Sequence, residues 1–343
     1  MNPLAGRLRE VAFVGLIAAL PAFGPPCTAP RPVADLLVVL NKSDDQAALV
    51  DPATGRVLGK LPTGRGPHEV AVTRDGRLAF VTNYGTASAP GRTLTVLDLR
   101  RSTAGTIAIE PYTKPHGIAI SRDGTRVWVT CEGSGAVLEL DAGSGRIAHA
   151  WPTGQEVSHM LVASRDERKL YVANIASGSC TAIDLVSGET HSIPTGAGAE
   201  GIDIAPDGGE VWVANREANT LSVIDTRADT VRAVIASGGL PIRIRFAPDG
   251  RQAWVSNSGS NRVSVFDTGT RRLVASLAVG STPVGIAISP DGRRVFVANT
   301  AADRISVIDA RTRMVLGTFA TGREPDGMAW ARAARLPPPR RTR

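Results

Sequence analysis

The sequence predicts an all-β fold, and three regularities predict it. A short motif recurs seven times, as Pro67-His68-Glu69, Pro115-His116-Gly117, Ser158-His159-Met160, Ala199-Glu200-Gly201, Pro241-Ile242-Arg243, Pro283-Val284-Gly285 and Pro325-Asp326-Gly327, at steps of 48, 43, 41, 42, 42 and 42 residues. Alternating apolar segments and Ser-Pro-Asp-Gly-like turns follow it at fixed offsets. A further segment ends on aspartate in every copy, at Asp51, Asp98, Asp141, Asp184, Asp225, Asp267 and Asp309. Four short strands per repeat, with turn chemistry at constant positions, predict a seven-bladed β-propeller of four-stranded antiparallel blades.

Each element of a blade has a local reason. The inner strand follows the tripeptide, as in Ile286-Ala287-Ile288. Pro-Asp-Gly then reverses the chain into a second strand such as Val295-Phe296-Val297-Ala298-Asn299. That strand carries an aromatic at one register, Phe80, Trp128, Tyr171, Trp212, Trp254 or Phe296, read as packing between neighbouring sheets. The aspartate ending the third strand is placed to accept its own following backbone N–H, and a fourth strand ends near Thr-Gly. The first copy starts at Ala34-Asp35-Leu36 without an inner strand, and the last, Gly327-Met328-Ala329-Trp330, has only an inner strand. Joining them closes the ring through the C-terminal strand and removes the open edges of an unclosed array.

Composition agrees and limits the function classes. Gly 36 and Pro 23 with 43% hydrophobic residues suit many strands and tight turns. The net charge of +7 sits mostly at the ends, in Arg7 and Arg9 and in Arg332, Arg335, Arg340, Arg341 and Arg343, so the body is near neutral and nucleic-acid binding is disfavoured. Arg7 and Arg9 before the apolar run from Val11 to Gly24 read as a signal peptide within residues 1–29. The expectation is a periplasmic or secreted monomer without a transmembrane helix in its mature form. Cys27 after Pro26 is a poor lipoprotein anchor. A single propeller is expected over residues 34–331, with a disordered Arg/Pro-rich tail over 332–343.

Phe80-Val81-Thr82-Asn83, Tyr171-Val172-Ala173-Asn174 and Phe296-Val297-Ala298-Asn299, with their Ser-Pro-Asp-Gly turns, resemble the YVTN repeats of YncE-like propellers. The resemblance covers nearly all of the predicted propeller. It implies the fold strongly and the activity weakly, because related propellers resemble the haem-binding domain of periplasmic nitrite reductases, lactonases, a streptogramin lyase and surface-layer proteins.

The repeat also serves as an internal alignment. At the second motif position the blades carry His68, His116, His159, Glu200, Ile242, Val284 and Asp326. Three of the chain's five histidines thus share one register in consecutive blades. Ring closure sets Asp326 beside His68, giving a continuous arc of Asp326, His68, His116, His159 and Glu200 at the channel mouth. Imidazoles with carboxylates suit a divalent transition metal, zinc or copper. The plainer use is that these side chains bond neighbouring carbonyls and lock the blades together. Glu69, Tyr84, Glu132, Arg216 and Arg243 depart from the repeat at the same end and are the candidate ligand-binding residues. Asp203 and Arg245, in adjacent inner strands, read as a structural ion pair. No nucleophile elbow, phosphate loop, HExxH or haem-attachment motif is present. The leading expectation is an exported propeller binding a small ligand or metal at the mouth. The alternatives are a metal-assisted lactonase or lyase, and a scaffold for a protein partner without catalysis.

Overall fold

The computed structural model describes residues 34–334. The signal-peptide expectation, Cys27 and residues 335–343 of the expected tail lie outside the described residues. The described chain forms twenty-eight strands in seven four-stranded antiparallel sheets. Blade 1 combines β28 (Pro325–Ala334) as its inner strand with β1 (Ala34–Asn41), β2 (Gln46–Val50) and β3 (Val57–Pro62). Blades 2 to 7 then take four consecutive strands each. They are β4 to β7 (67–108), β8 to β11 (115–152), β12 to β15 (158–194), β16 to β19 (199–236), β20 to β23 (241–278) and β24 to β27 (283–319). The last strand continues through residues 332–334, which the sequence had assigned to the tail. Among the described residues no helix is long and apolar enough to cross a membrane.

The turn chemistry read from the sequence is present in all seven blades. Each third-strand aspartate accepts the backbone N–H two or three residues on at 2.7–3.0 Å, as Asp51 does from Ala53 and Asp309 does from Thr312. The six second-strand aromatics are fully buried. Trp212 of blade 5 packs with Ile244, Phe246 and Phe266 of blade 6, so these rings glue sheet to sheet. The recurrent second-strand asparagine is structural too. Asn174, Asn215, Asn257 and Asn299 each donate to a third-strand hydroxyl seven residues on, at 2.9 Å.

Closure joins residues almost the whole chain apart. β1 pairs β28 antiparallel with Leu37 opposite Trp330 and Val39 opposite Met328. Thr321 donates to Asn41 at 2.7 Å, and the Lys42 N–H to the Glu324 carbonyl at 3.0 Å. Closest to the axis, neighbouring blades meet backbone to backbone. A Cβ added at Gly327 would lie 2.2 Å from the His68 carbonyl oxygen, and one at Gly285 would lie 2.1 Å from that of Asp326. Gly327→Ala is therefore expected to destabilise the fold by roughly 1–3 kcal/mol, the usual range for overpacking. Gly105→Ala, where nothing lies within 4 Å, is the control. Thermal melts of the two variants check this, with a lowered midpoint expected for Gly327→Ala alone.

Candidate functional site

The inner strands and the hydroxyls of the second strands set the mouth. Thr82 of blade 2 accepts the Glu69 N–H at 3.0 Å and donates to the His116 carbonyl of the next blade at 2.8 Å. Thr130 repeats the bridge one blade on, accepting from Gly117 at 2.8 Å and donating to the His159 carbonyl at 2.5 Å. Backbone positions of both histidines are thus fixed from the preceding blade, and their rings project to one level.

At that level the predicted arc is continuous. His68 Nδ1 lies 3.2 Å from Asp326 Oδ2. The His68 and His116 rings have centroids 4.7 Å apart, and those of His116 and His159 are 3.7 Å apart with planes 31° from parallel. At the far end His159 Nδ1 bonds Glu132, and its Nε2 is 3.6 Å from Glu200 Oε1. Glu200 also accepts from Arg216 at 2.8 Å, and Glu132 accepts from the Tyr84 hydroxyl at 2.6 Å. The five residues predicted as metal ligands therefore sit in one row, with Tyr84, Glu132 and Arg216 bonded to its far end. The blades are locked by threonine hydroxyls on the histidines' own carbonyls, while the arc's side chains face one another.

The row is electrostatically graded. Burial, and then the neighbouring His159 and His68, hold His116 well below the ordinary imidazole range, so it is neutral. Burial also opposes charge on His159, but bonds to Glu132 and Glu200 outweigh it and lift that ring to about 9. Burial raises Asp326, yet the bond to His68 and the charges of His68, Lys42 and Arg243 bring it down to about 2. A buried neutral imidazole therefore stands next to a partly buried imidazolium. His116 Nδ1 has no hydrogen-bond partner, an orphaned acceptor or donor in a buried position.

Glu69 and Arg243 do something other than face a ligand. They lie one residue further along the inner strands of blades 2 and 6 and bond each other across the axis. Arg243 also reaches Met160 of blade 4, Nη1 to Sδ at 3.0 Å. All three side chains are buried, and they bridge the channel beneath the histidines. On the opposite side of this bridge the channel opens as a cavity of about 360 Å³ bounded by Glu69, Met160, Ile118, Ile204 and Arg245. Asp203 accepts the Phe246 N–H at 2.9 Å and lies 3.7 Å from Arg245, so that pair is structural as read. Lys42, 3.7 Å from Asp326, was missed. It occupies the same register after the second strand as Tyr84, Glu132 and Arg216, and that register is the signal that points to it.

His116, Glu132 and His159 each offer one donor atom within 4.8 Å of the others. That span is somewhat wider than the roughly 3.4 Å between donors sharing a tetrahedral ion at zinc bond lengths. Two imidazoles and a carboxylate, one imidazole nitrogen being orphaned, fit a divalent transition ion with a coordination position left for a ligand. Glu132 enters this set although the sequence had assigned it to ligand binding.

The pH dependence of the metal-free protein follows from the two shifts. A raised imidazole contributes stability in full below its unfolded value of 6.5, and loses it as pH rises through about 9. The depressed His116 acts oppositely, losing its contribution as pH falls below 6.5. In the presence of a chelator the melting temperature is expected to decline from near neutrality to about pH 9. Calorimetry on His159→Gln checks this, because the alkaline decline is expected to flatten in that variant.

Comparison with solved structures gives the fold. Hydrazine synthase of Kuenenia stuttgartiensis is 23% identical, with a TM-score of 0.72 over 85% of this chain and 99% of that one. The periplasmic gluconolactonase of Pseudomonas aeruginosa is 18% identical, with a TM-score of 0.72 over 88% and 100%. Dihydro-heme d1 dehydrogenase in complex with DHE is 18% identical, with a TM-score of 0.65 over 88% and 77%. No curated protein matches the sequence. Residues 210–336 match the family described as Cytochrome D1 heme domain. None of the five histidines lies in that stretch, so the mouth histidines fall outside this match. Residues 46–266, well over half of the chain and including all three mouth histidines, match the family described as Lactonase, 7-bladed beta-propeller, and the chain belongs to that family.

Proposed function

We propose that this chain is an exported, YncE-like propeller that holds a divalent transition metal, zinc or copper, at its channel mouth and binds a small ligand there. The orphaned Nδ1 of buried His116, a ring that offers a donor atom within 4.8 Å of those of Glu132 and His159, carries the reading. His116 is already neutral and needs no proton removed before it donates a lone pair. His159 is held protonated by Glu132 and Glu200, so loading the site requires that proton to leave. Tyr84 holds the second oxygen of Glu132, and Arg216 holds Glu200, fixing both carboxylates. His68, Asp326 and Lys42 form the opposite lip, where a ligand would meet imidazole, carboxylate and ammonium groups.

Metal analysis of the mature protein after zinc or copper loading tests this. About one ion per chain is expected for the wild type, and almost none for the His68/His116/His159→Ala variant. Because three alanines open a cavity, Glu132→Gln, which keeps its volume, provides the second measurement and is expected to weaken binding at least tenfold. Equal and near-zero metal in all three proteins overturns the reading.

Family membership favours a second reading, lactone hydrolysis at the same mouth. When bound, a metal there would polarise an ester carbonyl. The chain's own part would be His68, which lies outside the three metal-holding residues, as the base, with Asp326 positioning its ring. A panel of sugar lactones separates the readings. Hydrolysis that falls by at least a hundredfold in His68→Gln with the metal retained promotes the enzyme, and no hydrolysis by metal-loaded wild type removes it.

A further inference from the structure

The outer rim of the propeller is uneven. Each blade ends in a fourth strand whose outer edge has no neighbour among the described residues. Edges of this kind invite pairing with another chain, and proteins usually blunt them with proline or charge. In blades 1, 3 and 4 the fourth strand ends on proline, at Pro62, Pro152 and Pro194, and blade 1 adds Lys60. β19 (Thr230–Ala236), β23 (Arg272–Ala278) and β27 (Met314–Phe319) of blades 5 to 7 contain no proline. Six of the eight exposed large apolar side chains among the described residues lie on these three strands: Val234, Leu273, Val274, Met314, Val315 and Leu316. β27 is the extreme case, with Met314 63%, Val315 41% and Leu316 56% exposed in succession.

Charge in this sector is mixed, and the cations left without an ion pair are arginines. The three strands hold no aspartate or glutamate, and Arg272 within them and Arg311 just before β27 make no ion pair among the described residues. Arg232 is taken up by Glu210 at 3.5 Å and Asp225 at 3.4 Å. The aspartates that close the neighbouring turns, Asp225, Asp267 and Asp309, accept backbone N–H groups and stay ionised.

We propose that the rim of blades 5 to 7 is a docking edge for an extended segment of a partner protein with alternating apolar and acidic residues, which adds to β27 as a fifth strand. The open backbone edge supplies hydrogen bonds, Met314 and Leu316 accept the apolar side chains, and the arginines select the acidic ones. An anionic lipid surface would match the charge and the apolar residues, but it leaves the strand's N–H and C=O groups unpaired. A second copy of this chain would satisfy the backbone, but it would bring two arginine-bearing rims together.

The test uses the mature protein and a capped, fluorescently labelled peptide alternating valine and glutamate, with binding read by anisotropy. Saturable binding is expected, weakening as salt is raised, and at least about tenfold weaker for Met314→Glu/Leu316→Glu. Both positions are exposed, so an unchanged melting temperature shows that the variant remains folded. Equal binding by variant and wild type overturns the proposal, as does equally tight binding of a control peptide alternating valine and lysine. Self-association in light scattering that is lost in the same variant overturns it in favour of a second copy. Binding to phosphatidylglycerol vesicles without competition by the peptide overturns it in favour of a lipid surface.

Discussion

The approach of one backbone to the next at the axis is the contact on which the rest depends. Seven inner strands fit around a common channel because small residues there admit a neighbour's carbonyl oxygen at a distance no side chain would tolerate. Second-strand hydroxyls, such as those of Thr82 and Thr130, hold those carbonyls in place. The same contact that closes the ring therefore fixes the level at which the second motif position projects. Function at the mouth is inherited from a packing requirement lower in the blade.

Three blades break the small-residue rule at the axis, and they alternate. Glu69, Met160 and Arg243 come from blades 2, 4 and 6, and each finds space because the intervening blades keep glycine. Above them the histidines and carboxylates occupy blades 1 to 5 only, while Ile242 and Val284 leave the remaining two blades apolar at that register. The propeller thus carries two superimposed patterns, one alternating and one sectored. The alternating layer neutralises itself by an internal ion pair. The sectored layer retains a buried neutral imidazole whose Nδ1 lacks a partner.

The blades were legible in the sequence because their signals are local. A Pro-Asp-Gly turn, an aspartate accepting its own backbone and an alternating strand each declare themselves within a few residues, and repetition removes ambiguity. The arc at the mouth was legible for the same reason, since the repeat fixes register and Asp326 reaches His68 only if the ring closes. What remained hidden depends on side-chain direction between distant blades. Nothing local says that Glu69 and Arg243 meet each other, 174 positions apart, rather than a ligand. Glu132 could be placed at the mouth but not assigned to His159, because that contact rests on rotamers in adjacent blades. Lys42 shares the register of Tyr84, Glu132 and Arg216, but its approach to Asp326 is made across the closure between the two chain ends.

The bridge of Glu69, Arg243 and Met160 makes the axis of this propeller a cul-de-sac rather than a conduit. A solute arriving over the histidines meets a floor, so it must depart by the route it came, and traffic through the vestibule is sequential. The space beyond the floor reaches the opposite face of the disc among the turn residues Ser164, Arg165 and Pro206, with Arg122, Arg245 and Glu167 around it. The two faces are consequently separate chambers, free to change under selection without altering one another's occupants.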